Sequence, residues 1–333
     1  MNKAFSYVLI ALALVLFVAA PISAQEQENK KLAQTGLQFL SVVSDAAAGA
    51  MGGAMTSLEF GSSSLFFNPA GMANLQGFFD VSISQNQWIA DINHNSVAAA
   101  FRAGELGVFG LSLQTVDYGE IQGTVVAEND QGYLDTGNLD ASALAIGVGY
   151  ARALSDRFSV GGQVKWVRQS LAENLIPVTD STYTSVENEV TPFAFDFGTQ
   201  FKTGVKSLVF GMSVRNFSQE IEYEEEGFQL PLLFTLGISA NVLDWVRPSD
   251  EKQSMIFSID ATHPRDHPEQ LIFALEYKLQ SLLFVRGGYV MNNDEDGPTF
   301  GFGVSKFGFQ VDYGYTPFGA FDNVQRVTAR FSK

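Results

Sequence analysis

The sequence predicts an all-β protein: a transmembrane antiparallel β-barrel of about 14 strands with a short N-terminal plug. Three observations support this. The chain starts with an apolar segment typical of exported proteins, it has no later apolar run long enough for a membrane-spanning helix, and apolar and polar residues alternate repeatedly in its second part. We therefore divide the chain into a signal peptide (1–24), a plug segment (25–75) and a barrel (76–333).

The first 24 residues have the pattern of a secretory signal peptide. Lys3 supplies a positive charge, residues 4–20 are almost wholly apolar, and the segment ends in a small residue, Ala24. A membrane anchor helix is the alternative, but the apolar run is short for a span and the polar residues 25–30 follow at once. We expect cleavage after Ala24 and export of the mature chain.

Composition narrows the class of protein. The chain has no cysteine, which excludes disulfides, thiol chemistry and a lipoprotein anchor. It carries 36 acidic and 20 basic residues, a formal net charge of −16, and this balance argues against nucleic acid as a partner. It also contains 29 phenylalanines and 10 tyrosines. An exported chain with these features is either a secreted or periplasmic β protein or a barrel in the outer membrane.

The segment before the barrel is rich in small residues and shows little strand alternation. Met51, Gly52 and Gly53 belong to a run of alanine, glycine and methionine that fits a narrow barrel interior, because small residues let backbones pack closely. We interpret residues 30–75 as a plug built from turns and short helices.

The motif Asn68-Pro69-Ala70-Gly71 comes shortly before the first predicted strand. Pro69 restricts the backbone, Gly71 permits a positive φ, and the Asn68 side chain can hydrogen-bond to its own backbone as a turn initiator. We expect the motif to fix how the plug enters the first strand, which is a structural role and not contact with a ligand.

The barrel wall is predicted from strands with large apolar side chains on one face and small or polar residues on the other. In residues 193–201, phenylalanine takes every second position but one, and Asp196, Gly198 and Gln200 lie between them. A half-buried sheet of a soluble protein also alternates, but its second face is usually heavily charged. The aromatic face here favours lipid outside and a crowded interior. The residues expected to face lipid include Phe193, Phe195, Phe197, Phe309, Val311 and Tyr313.

Fourteen strands are predicted, an even number that allows closure with both termini on one side. They cover residues 78–87, 93–102, 105–118, 139–153, 156–170, 190–202, 207–217, 231–243, 254–263, 269–279, 281–291, 298–305, 307–315 and 324–332. Tight turns alternate with longer links near 119–138, 171–189, 218–230 and 316–323. Outer-membrane barrels have short periplasmic turns and long outer loops, so both termini are predicted in the periplasm.

Charged residues are predicted inside the barrel and in its outer loops. Buried charges need partners, so the mixed charges of the interior face predict ion pairs that brace the wall and plug. A pore with a selectivity ring would carry charges of one sign. The predicted interior network is Lys165, Asp196, Arg215, Glu276, Arg286 and Asp312. Acidic residues crowd the outer loops at 128–135, 220–226 and 294–296, where they form a solvated face or a surface for a partner or divalent cations.

Signals of catalysis are poor. His263 and His267 have the spacing of a metal-binding pair, but Pro264 and Pro268 prevent a regular helix there. Residues 292–297 resemble the start of a calcium loop whose bidentate glutamate is replaced by glycine. Phosphate-loop, nucleophile-elbow and dinucleotide motifs are absent. We predict no enzyme activity, no cofactor and no metal site.

Several motifs, in their order and spacing, give nearly the whole mature chain a resemblance to known barrels. They lie at 36–40, 45, 50–54, 68–73, 263–264, 275–277, 285–289, 301–303 and 312–319. Together they resemble the PorV/PorQ group of the FadL superfamily. The resemblance implies a FadL-like barrel in the outer membrane, surrounded by lipid, that binds secreted cargo proteins in or near type IX secretion. The chain departs from many such barrels at its end, Phe331-Ser332-Lys333, where the aromatic residue is displaced from the last position.

Two functions remain open. The first is a PorV-like barrel that handles secreted cargo proteins through its outer loops and rim. The second is a FadL-like channel for hydrophobic small molecules, which needs a continuous apolar pocket from the outer loops past the plug. The interior charges favour a blocked barrel and therefore the first function. A third candidate, an outer-membrane hydrolase, lacks a convincing catalytic triad.

Overall fold

The computed structural model describes residues 35–127, 129–179, 182–222, 227–246, 253–292, 297–319 and 323–333. Within these residues the chain forms short helical turns followed by strands. The strands are β1 (Phe79–Gln87), β2 (Asn93–Arg102), β3 (Val108–Asp117), β4 (Ile121–Val126), β5 (Tyr133–Leu139), β6 (Ser142–Ala153), β7 (Phe158–Thr179), β8 (Thr182–Val190), β9 (Phe193–Lys202), β10 (Val209–Phe217), β11 (Ile221–Glu222), β12 (Gly227–Phe228), β13 (Leu233–Asn241), β14 (Gln253–Pro264), β15 (Gln270–Leu279), β16 (Leu283–Met291), β17 (Pro298–Lys306), β18 (Phe309–Thr316) and β19 (Val324–Ser332).

Fourteen of these strands form a closed antiparallel barrel, which confirms the predicted fold class. Its order is β1-β2-β3-β6-β7-β9-β10-β13-β14-β15-β16-β17-β18-β19, and β19 pairs back with β1. Full closure satisfies the edge groups that an open sheet would expose to lipid. The observed strand ends lie within about three residues of the predicted ones, except that β7 continues from residue 170 to Thr179.

Three strand pairs were not predicted, and all lie beyond the same end of the barrel. β8 pairs with the extension of β7, β4 pairs with β5, and β11 pairs with β12. Six of the seven residues of β5 are exposed, so no apolar face marks this strand in the sequence. Alternation reveals a strand only when one of its faces is buried.

The two ends of the barrel differ. We call the end with the connections 103–107, 154–157, 203–208, 280–282 and 307–308 the short-turn rim, and the opposite end, with the connections 118–141, 218–232 and 265–269, the long-loop rim. Lys333 lies at the short-turn rim, where its carbonyl oxygen accepts from the Phe78 N–H at 2.5 Å. Thr35 lies at the long-loop rim, bridged to Gln229. Residues 1–34 lie outside the described part, so the predicted side of the N-terminus stays a prediction.

The wall alternates between outward and inward residues along each strand. In β9, Phe193 and Phe197 are exposed on the outer face, while Ala194 and Asp196 are buried on the inner face. Phe309 and Val311 are likewise exposed. Tyr313 is half-buried against the ring of Phe302, with the ring centroids 5.6 Å apart. In the described residues, the helices are all too short or too polar to cross a membrane.

The placement of the outer face predicts that a charged residue lowers stability more near the midplane of the bilayer than near its edge. Phe197 lies at the middle of β9 and Phe193 at its end near the long-loop rim. We expect Phe197→Arg to lower the free energy of unfolding in lipid vesicles by about 2–4 kcal/mol, because a charge at the midplane of the bilayer loses its hydration. The matched variant Phe193→Arg should lose only about 0–1 kcal/mol. Denaturant titration followed by heat-modifiable gel mobility measures both, and equal losses would contradict this placement of the wall.

Candidate functional site

Residues 35–78 run through the inside of the barrel from the long-loop rim to the short-turn rim, and we call them the interior segment. Gly36 N donates to Gln229 O at 3.1 Å near its start. Further along, the hydroxyl of Thr299 on the wall donates to Ala50 O at 2.8 Å. The segment ends beside the C-terminus, where a Cβ on Gly77 would lie 2.5 Å from the carbonyl oxygen of Lys333. The strongest candidate for a functional site is therefore the interior, where this segment meets the wall.

The start of the interior segment is held at the long-loop rim by Asp266. Thr35 Oγ1 donates to Asp266 Oδ2 at 2.6 Å, and Gln38 Nε2 donates to the same oxygen at 2.5 Å. Burial opposes the charged form of this carboxyl group, but these hydrogen bonds outweigh it and lower its pKa. The carboxylate is therefore ionised at neutral pH and ties the segment to the connection 265–269.

The small residues of the interior segment match glycines on the wall. The short helix Ala46–Ala50 is fully buried. A Cβ on Gly314 of β18 would lie 2.5 Å from the carbonyl oxygen of Ala46, and a Cβ on Gly301 of β17 would overlap the methyl group of Ala50. Neither the segment nor the wall could move away from an added Cβ without opening the packing between them. Small residues are therefore required on both sides of this contact.

The predicted residues Met51, Gly52 and Gly53 end this helix. Gly52 and Gly53 have φ values of +61° and +91°, which favour glycine. The Gly53 N–H donates to Ala48 O at 2.9 Å and so closes the helix, as left-handed residues commonly do at helix ends. Met51 is buried beside Ile272 of β15. This part of the predicted motif turns the chain inside the barrel.

Asn68 holds three backbone groups at once. Its Oδ1 accepts from Ala70 N at 3.1 Å, which begins the turn Pro69–Met72. Its Nδ2 donates to Thr56 O at 2.7 Å within the interior segment and to Thr199 O at 3.0 Å on the wall. The side chain thus joins two parts of the interior segment to β9.

Gly71 of this motif is required because there is no room for a side chain, and not because of a positive φ. From the sequence, Gly71 permits a positive φ, but it lies in the 3₁₀ turn and does not use this freedom. A Cβ at Gly71 would lie 2.7 Å from Ser64 Oγ and 2.8 Å from Leu58 O. On the wall, a Cβ at Gly161 would lie 2.5 Å from Ala70 N. The motif therefore needs small residues because it is packed tightly on both sides.

The six charged residues predicted in the interior fall into two separate groups. In the first, Lys165 Nζ lies 2.9 Å from Asp196 Oδ2, and both side chains are buried. Lys165 also donates to Asn216 Oδ1 at 2.5 Å. Arg215 does not join this ion pair directly, because its guanidinium donates to Phe66 O of the interior segment.

The first group surrounds a bulge in the wall. The register of β10 against β9 shifts between Val214 and Phe217, whereas the other barrel pairings of the described strands show no shift. Asn216 has a φ of +60°, and its N–H donates to Asp196 Oδ1 at 2.7 Å. The carboxylate thus satisfies a backbone donor that the bulge removes from the ladder. The sequence contained no signal for this bulge beyond the Asn itself.

In the second group, Arg286 lies between two carboxylates. Its Nε is 2.6 Å from Glu276 Oε2 and its Nη1 is 2.6 Å from Asp312 Oδ1. The three residues lie on β15, β16 and β18, so the bonds cross three strands of the wall. Gln310 Nε2 donates to the second oxygen of Asp312 at 2.8 Å. The group is a closed polar network that braces the wall from inside.

Other polar contacts between the interior segment and the wall were not in the predicted network. Ser63 Oγ donates to Asp45 Oδ2 at 2.9 Å, and Arg330 lies 3.4 Å from the same oxygen. On β1, Asp80 Oδ1 accepts from Ser62 N at 2.7 Å. Asp80 stands at an inward position of the first strand, so the phase of alternation could have identified it.

The two histidines with metal-pair spacing are not brought together as ligands. His263 Nδ1 lies 3.0 Å from the exposed Glu269, whereas His267 Nδ1 lies 2.8 Å from Asp266 O. In the part of the chain that the structure describes, no three His, Asp or Glu side chains group as a metal site requires. Residues 294–296, predicted as an acidic tip, lie outside the described residues.

The interior is filled near the long-loop rim and more open near the short-turn rim. At the first end, Leu37, Phe39 and Leu40 pack with Leu230 of the connection 218–232 in an apolar cluster. The cavity beside it, next to Lys165, has a volume of only about 10 Å³. At the other end, a cavity of about 530 Å³ lies between the interior segment and β9–β19. We call it the short-turn cavity.

The buried pair Lys165–Asp196 predicts a large loss of stability when one partner is removed. We expect Asp196→Asn to lower the free energy of unfolding by about 3–5 kcal/mol, because it leaves a buried ammonium group without its counter-charge. The control Glu189→Gln breaks the exposed pair with Arg168 and should shift the unfolding midpoint little. Denaturant titration in lipid vesicles compares the two variants, and equal midpoints would count against the interior network.

Known structures share this architecture. The Ralstonia pickettii toluene transporter TbuX is 13% identical with a TM-score of 0.58, covering 86% of this chain and 98% of that chain. The Pseudomonas putida toluene transporter TodX is 13% identical with a TM-score of 0.55, covering 86% and 96%. A Pseudomonas aeruginosa FadL homologue is 12% identical with a TM-score of 0.55, covering 87% and 98%. At these identities the likeness shows the fold, a FadL-type outer-membrane barrel.

The sequence itself points to one family. No curated protein matches it significantly. Residues 25–259 match the family model described as type IX secretion system protein PorV. This match confirms the resemblance inferred from the motifs, and it spans more than half of the chain. The chain therefore belongs to the PorV family of type IX secretion system proteins, and it is a β-barrel of the outer membrane.

Proposed function

We propose that this barrel handles secreted cargo proteins at the outer membrane, in or beside the type IX secretion system, without covalent chemistry of its own. The observation that carries the proposal is the interior segment, which crosses the barrel and fills its interior at the long-loop rim. Residues 35–78 cross the barrel from rim to rim, and they contact the wall through side-chain to backbone hydrogen bonds, the buried ion pair of Asp45 with Arg330, and close contacts at glycines. The proposal includes cleavage after Ala24 and the role of residues 25–75 as a plug.

The long-loop rim supports binding at the surface over passage through the barrel. The apolar cluster of Leu37, Phe39 and Leu230 lies where a channel would have to begin. A FadL-like channel needs a continuous apolar pocket at this end, and the adjoining cavity of about 10 Å³ is too small for a hydrocarbon. A barrel that only carries a partner on its rim needs no such pocket.

Strand pairing offers a way to hold an extended partner. Among the described strands, β8 is the last of its sheet, and β4 and β5 pair only with each other. Unpaired strand edges of this kind bind extended peptides through main-chain hydrogen bonds. In this proposal the long-loop rim faces the cell exterior, and the short turns and Lys333 face the periplasm, as in other outer-membrane barrels.

The alternative is a channel for hydrophobic small molecules, and one observation favours it. The structures with the same fold include two toluene transporters. Their likeness concerns the fold, and one fold serves many functions. Uptake of toluene or a fatty acid by the intact protein would establish the alternative.

The role of the interior segment predicts a leak when Asn68 is removed. Asn68→Ala loses the hydrogen bonds to Thr56 O and Thr199 O, so it should loosen the segment from β9, although Gln200 Nε2 still donates to Thr56 O. We expect low conductance of the parent protein in planar bilayers and a clear increase for the variant. The control Asn129→Ala loses only two local bonds in the β4–β5 hairpin, to Tyr133 O and from Gln131 N, and should conduct like the parent. High conductance of the parent would contradict a filled interior.

Partner binding is expected to depend on the acidic tip of the connection 218–232. Replacing residues 223–226 by two glycines should weaken recovery of a cargo C-terminal signal domain by about tenfold, the effect of losing one strong contact. The deletion spares Phe228, which packs on Gly36, and Leu230, which is fully buried, so heat-modifiable mobility should stay unchanged.

A matched control for this deletion lies on the opposite rim. Arg157→Gln changes an exposed charge in a short turn and should leave recovery of the signal domain unchanged. Recovery that survives both the 223–226 replacement and shortening of the β4–β5 hairpin would contradict binding through the long-loop rim. Loss of recovery in Arg157→Gln would move the contact to the short-turn rim.

A further inference from the structure

Three neighbouring strands of the wall carry amide side chains on the outward face, where other strands carry apolar ones. On β15 the outward residues are apolar or aromatic along the whole strand, from Leu271 to Leu279. On β19, β1 and β2, only the three outward residues nearest the short-turn rim are apolar, and amides follow them. We call these amides the amide face: Gln85 and Gln87 of β1, Asn93 and Asn95 of β2, and Gln325 of β19.

The side chains of the amide face lie next to one another across the strands. Gln85 is opposite Asn95, and Gln87 is opposite both Asn93 and Gln325. Gln85, Gln87 and Asn95 are exposed, and in the described part of the chain their side chains make no hydrogen bond. A side-chain amide has two N–H donors and one carbonyl acceptor, so even a bond between Gln85 and Asn95 would leave several of these groups unpaired.

The amide face lies at a depth where lipid tails would surround it. Phe79 packs on Phe331 at the short-turn rim, with the ring centroids 5.6 Å apart, and aromatic residues of this kind mark the edge of the membrane. A strand rises about 3.4 Å per residue at a tilt of about 40°, so Gln85 lies about 16 Å above Phe79 and Gln87 about 21 Å above it. The apolar belt of such barrels is about 25 Å tall. Lipid in contact with these amides would leave them without hydrogen-bond partners, which is costly.

The chemistry of the amide face fits a second copy of the same chain. An amide both donates and accepts, so a row of amides is complementary to an identical row. Its five residues carry no formal charge, so two copies can approach here although the chain has a net charge of −16. Asp117, which continues the upper row on β3, lies two strands away from β1.

The geometry of the wall agrees with this occupant. Two copies in one membrane have the same orientation, so a two-fold axis along the membrane normal places residues of equal depth opposite each other. Ala329 and Ala99 flank β1 on its two sides, opposite Ile83 and Val81. Small residues of this kind let the backbones of membrane proteins approach closely.

We propose that two copies of this barrel pair side by side in the outer membrane through the amide face, with β1 of one copy against β1 of the other. The amides of Gln85 and Asn95 then hydrogen-bond across the contact, at a depth where lipid could not satisfy them. The pairing rests on the barrel wall and not on the handling of cargo, so each proposal can fail without the other. It places two long-loop rims next to each other.

Cysteine cross-linking tests the pairing directly, because the chain contains no cysteine. Ala90→Cys places a thiol in the exposed connection that follows β1. The control Gln219→Cys places one in the connection to β13, the seventh strand from β1 in either direction. With purified protein in lipid vesicles and a water-soluble bismaleimide, we expect a dimer for Ala90→Cys and none for Gln219→Cys. Equal yields would indicate random collision and would overturn the proposal, as would the absence of a dimer for Ala90→Cys.

Replacing the deeper amides tests whether they hold the two copies together. In the Ala90→Cys background, Gln85→Leu combined with Asn95→Leu should raise the dissociation constant of the dimer at least about tenfold, measured as cross-linking yield when the protein is diluted with lipid. Thr199→Leu is a matched polar-to-apolar change on the outward face of β9 and should leave the yield unchanged. Heat-modifiable mobility shows which variants are folded. A folded double variant that cross-links like its parent would refute the amide contact.

The same Ala90→Cys variant in the outer membrane of its own cells distinguishes a second copy from another occupant. We expect the dimer of this chain. A cross-linked product of a different mass, without any dimer, would assign the amide face to another membrane protein and overturn the pairing of copies. A parent protein that stays monomeric in vesicles, together with a double variant of higher unfolding midpoint, would show that the face meets lipid and would overturn it as well.

Discussion

Close contact between the interior segment and the glycines of the wall is the constraint on which the rest of the structure depends. At Gly161, Gly198, Gly301 and Gly314, a single Cβ would collide with the segment. The inward face of the barrel must therefore alternate glycine and small polar residues with the outward aromatics, and it does so on strands far apart in the chain. The segment in turn must contain Ala46–Ala50 and the Asn68 motif, because bulkier side chains have no space. Close packing of this kind makes both partners intolerant of added volume.

Charged side chains inside such a barrel need partners of opposite charge. Lys165 with Asp196, and Arg286 with two carboxylates, each satisfy the partners that burial would otherwise leave unpaired. These groups also link the strands from inside, because Lys165 and Asp196 lie on adjacent strands and Arg286 reaches across β17 to Asp312. Arg330 follows the same rule, because its counter-charge is Asp45 of the interior segment, at 3.4 Å.

The strands of the barrel wall could be predicted from the sequence, but the contacts between side chains inside the barrel could not. Alternation located fourteen strands because each one has a buried and a lipid-facing side, and Lys165, Asp196 and Arg286 could be placed inside by phase alone. Pairing depends on register across strands, which alternation does not contain, so Arg215 was grouped with an ion pair although it binds Phe66 O. The bulge at Asn216 and the exposed hairpin of β5 have no periodic signal. The need for glycine at position 71 comes from the atoms packed around it and not from its φ, and the sequence does not show which atoms those are.

The fold is shared with hydrocarbon transporters and one fold serves many functions, so function has to be argued from what this barrel holds inside. Here the interior segment is held at both of its ends. Asp266 binds Thr35 and Gln38 at the long-loop rim, and Phe78 bonds to Lys333 at the short-turn rim. A passage would require both attachments and the contacts between them to break together, whereas transient local opening favours regions with few such contacts. A barrel fastened in this way is better suited to present its two rims to partners than to conduct a solute.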